Sequence, residues 1–240
     1  MRDKPRLFID IDLAIGQEIT LSKEQSHYIA NVMRKNIGDE ICVFDGKNGE
    51  FDAKITQASK KSVAIECINQ TREQDNLPNI TLFFAPIKGH RNDNIIEKAT
   101  EIGVKNIMPI ISERTIVRKP NIEKYRLTAI EAVEQCESLT IPNFSQEKNL
   151  IDAINSFEGD RIFFADEAGG GNYIKDAVSQ NDKSIALLIG PEGGFSESER
   201  KRILENKKVS AISLGKRILR ADTAVISGLA LLQSNWGDWQ

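Results

Sequence analysis

Short apolar runs separated by polar turns mark the chain from residue 80 onward. Each run has the length and composition of a buried strand; the runs are Ile80–Ala85, Asn106–Ile111, Arg161–Ala165, Ile185–Ile189 and Val209–Leu214. Segments with apolar residues at helical spacing lie between some of them, at residues 92–102, 121–136 and 150–157. Strands that alternate with helices predict an α/β fold with a mainly parallel sheet covered on both faces.

The first 72 residues have a different pattern, in which short strands dominate. Glu40–Phe44 is a mostly apolar run, whereas Phe51–Ile55 and Val63–Cys67 alternate between apolar and polar residues. The turn dipeptides Asp45-Gly46 and Asn48-Gly49 predict a hairpin loop between the first two of these strands. A small β domain is therefore expected here.

One helix is expected within that β domain, and a linker follows the domain. Ser22 and Gln25 have the spacing of a capping box, which predicts a helix of about ten residues that ends before Gly38. Residues 70–79 are polar, lack periodicity and contain Pro78, as linkers do. We therefore predict two domains, residues 1–72 and residues 73–240.

Two glycine-marked loops follow the predicted strands at 185–189 and 209–214. The first reads Gly190-Pro191-Glu192-Gly193-Gly194, and the second extends from Gly215 to Arg220. The carboxyl ends of neighbouring parallel strands form crevices, and glycine lets a flat ligand approach backbone amides, so the loops predict a ligand site. Neither loop matches a P-loop or a G-x-G-x-x-G motif. Two ordinary tight turns are the alternative, but their position on either side of one helix favours a site.

The helices beside these loops also have recognisable starts. Ser196 and Glu199 form a capping box for a helix that runs to about Asn206, and Asp222 or Thr223 is expected to cap the helix after the second loop. This last helix carries small residues that permit close contact, either with a second subunit or within the chain: Ala224, Ser227, Gly228 and Ala230.

The segments Ile189–Phe195 and Ser213–Ala224 together resemble the paired signature of the SPOUT superfamily of methyltransferases, and in particular the ribosomal RNA small subunit methyltransferase E family. Lys88–Arg91, Glu97–Val104 and Ser112–Thr115 are similar to further motifs of that family. The resemblance covers nearly the whole chain. It implies an α/β fold with a trefoil-knotted, mainly parallel SPOUT-like sheet and a small N-terminal PUA-like β-barrel domain that binds RNA.

The same resemblance implies an S-adenosyl-L-methionine site built from the two loops. It assigns cofactor binding to twelve residues: Ile189, Gly190, Pro191, Glu192, Gly193, Gly194, Leu214, Gly215, Ile218, Leu219, Arg220 and Thr223. It also implies a homodimer in which each set of cofactor loops faces the partner subunit.

The resemblance points to methyl transfer onto N3 of a uridine in small-subunit (16S) ribosomal RNA. Uracil N3 must lose a weakly acidic proton, so the site needs positive charge near the uracil oxygens. Arg220 is the first candidate for this catalytic role and Arg114 the second, because both lie at or soon after predicted strand ends. A surface salt bridge is the alternative for Arg114. No residue stands out as a general base, and Glu192 is expected to brace its loop.

Five basic residues are candidates for RNA contact: Arg2, Arg6, Arg34, Lys88 and Arg91. A charged chain terminus is usually just solvated, so ordinary exposure explains Arg2 and Arg6 equally well. A cation such as Arg34 also suits the negative end of the predicted helix. The net charge of −3 indicates that any RNA contact is local.

Composition narrows the setting. The hydrophobic share of 40% and the charged share of 28% are typical of a globular protein. The apolar runs are too short to cross a bilayer and the amino terminus is too polar for a signal peptide, so a cytoplasmic protein with no membrane contact is expected. Widely spaced Cys42, Cys67 and Cys136 predict buried thiols, and His27 and His90 lie far apart, so no metal site is expected.

Two other functions fit the residues as well. One is a non-catalytic RNA-binding adaptor whose α/β half serves as a dimerisation scaffold. The other is a nucleotide-binding α/β enzyme that uses ATP or NAD. Binding of S-adenosylmethionine, rather than of ATP or NAD, separates the methyltransferase from both.

Overall fold

The computed structural model describes residues 4–59 and 62–239, which divide into two compact units. The first unit contains the chain up to residue 76 together with residues 133–141. The second unit contains residues 77–132 and residues 142 onward. Arg2, one of the predicted RNA contacts, lies outside the described residues.

The first unit is a five-stranded sheet with the strand order β1-β3-β4-β5-β2. Its strands are β1 (Arg6–Phe8), β2 (Glu18–Thr20), β3 (Glu40–Phe44), β4 (Glu50–Ala58) and β5 (Val63–Arg72). β1 runs parallel to β3, whereas β3 with β4, β4 with β5 and β5 with β2 pair antiparallel. The predicted hairpin is confirmed, and Gly46 and Gly49 in its loop both have positive φ. The sequence pattern did not indicate β2, because only one of its three residues is buried.

The predicted helix of the first unit is also confirmed. The capping box between Ser22 and Gln25 is present, and it opens α1 (Lys23–His27). A π-helical turn, Tyr28–Val32, continues α1 directly. The core of this unit is formed by the inward residues of the strands and of this helical segment: Leu7, Ile9, Leu13, Ile19, Leu21, Ile29, Ile41, Val43, Phe51, Ala53, Ile55, Val63, Ile65 and Cys67.

The second unit alternates strands and helices as predicted. Its elements are β6 (Ile80–Phe84), α2 (Arg91–Glu101), β7 (Asn106–Ile111), α3 (Ile122–Cys136), β8 (Asn143–Phe144), β9 (Lys148–Asn149), α4 (Leu150–Asn155), β10 (Arg161–Ala165), α5 (Ile174–Ala177), β11 (Ile185–Ile189), α6 (Glu197–Glu205), β12 (Val209–Ile212) and α7 (Ala221–Asn235). The last four residues of α3 belong to the first unit. β8, β9 and α5 have only two to four residues each, which is too short for a period to show in the sequence.

The sheet of the second unit has the strand order β12-β10-β11-β6-β7-β8, and β9 also pairs with β7. Each of these pairs is parallel, which confirms the predicted mainly parallel sheet. Every residue of β6 and of β11 is buried. This burial explains why both strands are continuous apolar runs.

The small residues of α7 have an explanation within the chain. A Cβ added at Gly228 would lie 2.8 Å from a methyl carbon of Leu187 on β11, so the helix backbone packs directly on the sheet. The predicted cap is wrong, because Arg220 is the N-cap of α7 and neither Asp222 nor Thr223 holds that position. Asp222 lies in the first turn, where its carboxylate still suits the positive end of the helix.

The cysteine prediction holds for two of the three residues. Cys42 and Cys67 are buried thiols in the first unit, and burial raises the pKa of Cys67 above its usual value. Cys136 is exposed, so the prediction of a buried thiol is wrong there. It is the last residue of α3, where a side chain can point away from the core. Among residues 4–59 and 62–239, none of the helices has the length and hydropathy that a transmembrane segment needs.

Candidate functional site

A cavity of about 410 Å³ lies at the carboxyl ends of three adjacent parallel strands, β12, β10 and β11. Its walls are formed by residues 165–169 after β10, residues 189–195 after β11 and residues 212–224 around the start of α7. Crevices of this kind form where loops leave the same edge of a parallel sheet. The volume lies in the range of small-molecule sites.

The cavity collects most of the residues predicted to bind the cofactor. Nine of the twelve line it: Ile189, Gly190, Pro191, Glu192, Leu214, Gly215, Ile218, Leu219 and Arg220. The other three, Gly193, Gly194 and Thr223, are not part of its wall. Both predicted loops therefore meet at one site, although individual positions within them face elsewhere.

The first loop is a tight turn that is closed by a hydrogen bond of its own backbone and fixed by an ion pair with α2. The N–H of Gly194 donates to the carbonyl oxygen of Pro191 at 2.9 Å, and Gly194 has a φ of +67°. A side chain at Gly194 would be strained by this φ and would also overlap the carboxylate of Glu167. Glu192 forms an ion pair with Arg91 at the start of α2, so it braces the loop as expected.

Arg114 reaches the same loop from the segment after β7. Its Nη1 donates to the carbonyl oxygen of Gly193 at 2.7 Å, and its Cδ would lie 3.6 Å from a Cβ at Gly193. The neighbouring N–H of Glu113 donates to Oε1 of the buried Glu199 on α6 at 2.8 Å. These two bonds fix Arg114 beside the first loop, but Arg114 is not among the residues that line the cavity.

The second loop places three cations on the cavity wall, Lys216, Arg217 and Arg220. All three are exposed, and within the described part of the chain none of their side chains has a hydrogen-bond or ion-pair partner. Arg220 is the N-cap of the 15-residue helix α7, and its side chain makes no cap hydrogen bond. The positive end of the helix dipole adds to these charges. This wall can therefore attract an anion or stabilise negative charge that develops during a reaction.

The third loop, which follows β10, was missed in the sequence analysis. It begins with Asp166 and Glu167 and continues through three glycines, Gly169 to Gly171. A Cβ at Gly171 would collide with the backbone of Ile212, so this loop lies directly on β12. The signal was available, because a buried strand followed by a glycine-containing loop is the pattern that identified the other two loops.

The two carboxylates of the third loop have different surroundings. Asp166 is buried, and the guanidinium of Arg200 donates to it three times, at 2.6 to 3.1 Å. Glu167 has no hydrogen-bond or ion-pair partner among the described residues. Burial raises the pKa of Glu167, the nearby Asp166 raises it further, and Arg114 lowers it by less. Glu167 is thus a carboxylate on the cavity wall whose pKa lies above its ordinary value.

One of the predicted RNA-contact residues, Arg6, is buried. Arg6 is only 9% exposed, so the prediction of an RNA contact is wrong there. Its Nε donates to Glu50 at 2.9 Å, and its two terminal nitrogens donate to the carbonyl oxygens of Val133 and Ser138, both at 2.6 Å. Each of the three guanidinium nitrogens therefore donates a hydrogen bond inside the first unit.

The remaining predicted RNA contacts stay on the surface or near the cavity. Arg34 and Lys88 are exposed. Arg34 has a φ of +53° immediately after the helical segment ends. Arg91 is half-buried and paired with Glu192, which links it to the first cavity loop. Within residues 4–59 and 62–239, no group of three or more His, Cys, Asp or Glu side chains is arranged to hold a metal ion.

Two family descriptions match the chain. Residues 73–233 match a family described as an RNA methyltransferase domain. Residues 21–67 match one described as an RNA methyltransferase PUA domain.

Individual relatives match over nearly the full length. A ribosomal RNA small subunit methyltransferase E of Rickettsia conorii is 31% identical over 94% of this chain and 93% of its own. The solved ribosomal RNA small subunit methyltransferase E of Neisseria gonorrhoeae, bound to S-adenosyl methionine, is 30% identical to this chain, with a TM-score of 0.89. The match covers 99% of this chain and 100% of the Neisseria chain. A Legionella pneumophila protein, solved with bound SAM, is 29% identical to this chain, with a TM-score of 0.90. The match covers 98% of this chain and 99% of the Legionella chain.

Proposed function

Because the chain belongs to the ribosomal RNA small subunit methyltransferase E family, we propose that it transfers the methyl group of S-adenosylmethionine to N3 of a uridine in small-subunit ribosomal RNA. The observation that carries the proposal is the cavity at the ends of β10, β11 and β12, where both predicted loops meet.

The cavity fits S-adenosylmethionine in size and in chemistry. Its 410 Å³ is within the range of sites for ligands of this size. Ile189, Leu214 and Leu219 provide apolar walls for an adenine ring, and the glycine-containing loops leave backbone amides accessible. When bound, the cofactor supplies a methyl group activated on a sulfonium. The residues of the chain bind and orient it beside the cationic wall.

Arg220 is the residue proposed to stabilise the uridine as N3 loses its proton. The negative charge spreads onto the two uracil oxygens, and a planar guanidinium can donate two N–H groups to such an oxygen. Arg220 lines the cavity, and its donors are not used by other described residues. Arg114 is the second candidate, because it donates to the carbonyl oxygen of Gly193, the residue that follows Glu192 of the cavity wall. The bond to Gly193 leaves its other guanidinium N–H groups for a ligand.

Several finer features belong to the same proposal. Residues 1–72, most of which belong to the first unit and part of which the PUA description matches, would form the RNA-binding domain, and residues 73–240 would form the catalytic domain. The second unit would form a trefoil knot and a homodimer. Ile218 at the mouth of the cavity is 88% exposed, as an apolar residue covered by a partner subunit would be in an isolated chain. A ribosomal RNA substrate would place the enzyme in the cytoplasm.

Isothermal calorimetry with four ligands tests the cofactor. We expect S-adenosylmethionine and S-adenosylhomocysteine to bind, and ATP and NAD to bind at least about 100-fold more weakly, a difference of about 2.7 kcal/mol. Preference for ATP or NAD would identify a nucleotide-binding enzyme instead. Binding of none of the four would identify an RNA-binding adaptor. Ile218→Ser, with Ile116→Ser as the matched exposed control, then tests by sedimentation whether the loop contributes to a dimer.

A further inference from the structure

Methyl transfer to uridine N3 requires a group that takes up the N3 proton. Neutral uracil carries a hydrogen on N3, so N3 becomes an effective nucleophile only as that proton leaves. A positioned side chain that accepts a proton speeds such a step by about 10²- to 10⁴-fold. The cavity wall contains no histidine, and its side chains that can accept a proton at neutral pH are the carboxylates of Asp166, Glu167 and Glu192.

Two of these three carboxylates are already engaged. Asp166 is buried and accepts three hydrogen bonds from Arg200. Glu192 is held in an ion pair with Arg91. A carboxylate whose oxygens already contact a guanidinium has fewer lone pairs available to a substrate N–H. Glu167 is the carboxylate of the cavity wall that has no partner within the described residues.

We propose that Glu167 is the catalytic base that accepts the N3 proton of the uridine, an inference that rests on the proposed methyl transfer. Its carboxylate lies against Gly194 of the first loop, where a Cβ would overlap it. Arg114 lies against the adjacent Gly193. The Glu167 carboxylate, a hydrogen-bond acceptor, and the Arg114 guanidinium, a donor, therefore lie against neighbouring residues of the first loop. This matches the edge of uracil, where the N3–H donor lies between two carbonyl acceptors.

The surrounding charges fit a base in this position. Burial and Asp166 raise the pKa of Glu167, while Arg114 lowers it. Arg200 neutralises Asp166, and Lys216, Arg217 and Arg220 face the same cavity. A carboxylate with a raised pKa is a stronger base than an ordinary glutamate as long as it is ionised.

The N3 proton moves to the Glu167 carboxylate as the electron pair left on N3 forms a bond to the methyl carbon. The bond between that carbon and the sulfonium sulfur breaks, and its electron pair stays on sulfur, which gives neutral S-adenosylhomocysteine. Glu167, now protonated, then releases the proton to solvent. No oxidant, reductant or further reactant is needed.

The test compares Glu167→Gln with wild type and with Glu158→Gln, an exposed glutamate that does not line the cavity. The substrates are small-subunit ribosomal RNA transcribed with uridine or with 5-fluorouridine, each used naked and assembled with ribosomal proteins. Fluorine at C5 makes N3–H more acidic, so a missing base matters less. Calorimetry with S-adenosylhomocysteine and thermal melting are measured on the same proteins.

We expect Glu167→Gln to lower the rate on uridine RNA by about 10²- to 10⁴-fold and to recover at least tenfold of that loss on 5-fluorouridine RNA. Its cofactor affinity should stay within about threefold of wild type, and its melting temperature should be unchanged. The wild-type rate should fall as the pH drops through the raised pKa of Glu167, because only the ionised carboxylate accepts a proton. The variant should lack that acid limb.

Three outcomes overturn the inference. A Glu167→Gln rate within threefold of wild type removes Glu167 from the reaction. A rate loss of equal size on both RNAs, with a loss of cofactor affinity or stability, assigns Glu167 to binding or folding. If the wild-type protein methylates no uridine on either form of the RNA, the proposed function fails and the inference fails with it.

Discussion

The loop after β3 in the first unit carries a buried carboxylate, Asp45, and the loop after β10 in the second unit carries an exposed one, Glu167. The two carboxylates have opposite surroundings. Asp45 accepts backbone N–H groups from Leu13, Lys47 and Asn48, at 2.7 to 2.9 Å, and also the side-chain amide of Asn48 at 2.7 Å. Burial alone would raise the pKa of Asp45, but these donors outweigh burial and hold the pKa below its usual value. Glu167 has no such donors, and partial desolvation of its carboxylate, together with the nearby Asp166, raises its pKa.

The two arginines Arg6 and Arg220 show the same contrast. Arg6 gives every branch of its guanidinium to Glu50 and to two carbonyl oxygens, and it stacks 3.8 Å from the ring centre of Phe44. Arg220 is exposed on the cavity wall, and its donors are not used within the described residues. A polar group that is fully paired inside the protein contributes to stability. A polar group left unpaired at a cavity is available to a ligand.

The largest effect is expected for Arg6, the fully paired arginine, and it is an effect on the stability of the first unit. Arg6→Ala leaves Glu50 buried without its main partner, and breaking a buried pair on one side costs about 3 to 5 kcal/mol. The free energy of unfolding of the first unit, measured by hydrogen exchange of amides in β3 and β4, should fall by this amount. The control is Lys4→Ala, which removes exposed pairs with Glu40 and Asp52 and should cost at most about 1 kcal/mol. Equal losses of stability in the two variants would show that the buried Arg6–Glu50 pair stabilises the first unit no more than the exposed pairs of Lys4 do.

The next largest effect is expected for Arg220, the arginine without a partner among the described residues, and it is an effect on the rate of methyl transfer. Arg220→Lys keeps the charge but loses the planar fork, and Arg220→Ala loses both. We expect each to lower methyl transfer by about 10²- to 10³-fold, about 2.7 to 4 kcal/mol, with cofactor affinity and melting temperature unchanged. Arg202→Ala, an exposed arginine on α6 outside the cavity, should stay within about threefold. A joint loss of stability and cofactor affinity in Arg220→Ala would instead give Arg220 a structural role.

The smallest effect is the pH response of Asp45. Since its pKa is lower in the folded state, its stabilisation is complete above the unfolded pKa of about 3.9 and is lost as the pH falls through the folded value. Asp45→Asn should cost about 1 to 3 kcal/mol at neutral pH and should flatten the loss of first-unit stability in acid. An acid response identical to wild type would show that other carboxylates control it.

Much of this arrangement followed from the sequence where the pattern was long. The strands at 106–111, 161–165 and 185–189 have the predicted bounds, because the buried centres of parallel strands are mostly apolar; β11 is buried throughout, β10 is buried at its three central residues, and β7 is buried at three of its six residues. The two capping boxes placed the starts of α1 and α6. The cofactor site implied by the family resemblance was built from two loops, and both loops line one cavity.

The rest depended on contacts that a linear pattern does not contain. Arg6 belongs to a strongly charged terminal segment in the sequence, but Val133 and Ser138 provide carbonyl partners for it from more than 120 residues away. Glu167 became a candidate only once the sheet order placed β10 between β11 and β12. Gly193 and Gly194 share a loop with lining residues, and only the turn geometry shows that they face Arg114 and Glu167.

Nucleoside analysis of the methylated RNA tests the central claim most directly. Small subunits that lack the modification are incubated with the protein and with S-adenosylmethionine carrying a deuterated methyl group, and the RNA is digested and analysed by mass spectrometry. We expect label in 3-methyluridine with wild type, and label reduced at least about 100-fold with Arg220→Lys. Label in any other nucleoside, or 3-methyluridine formed equally well by Arg220→Lys, would contradict it.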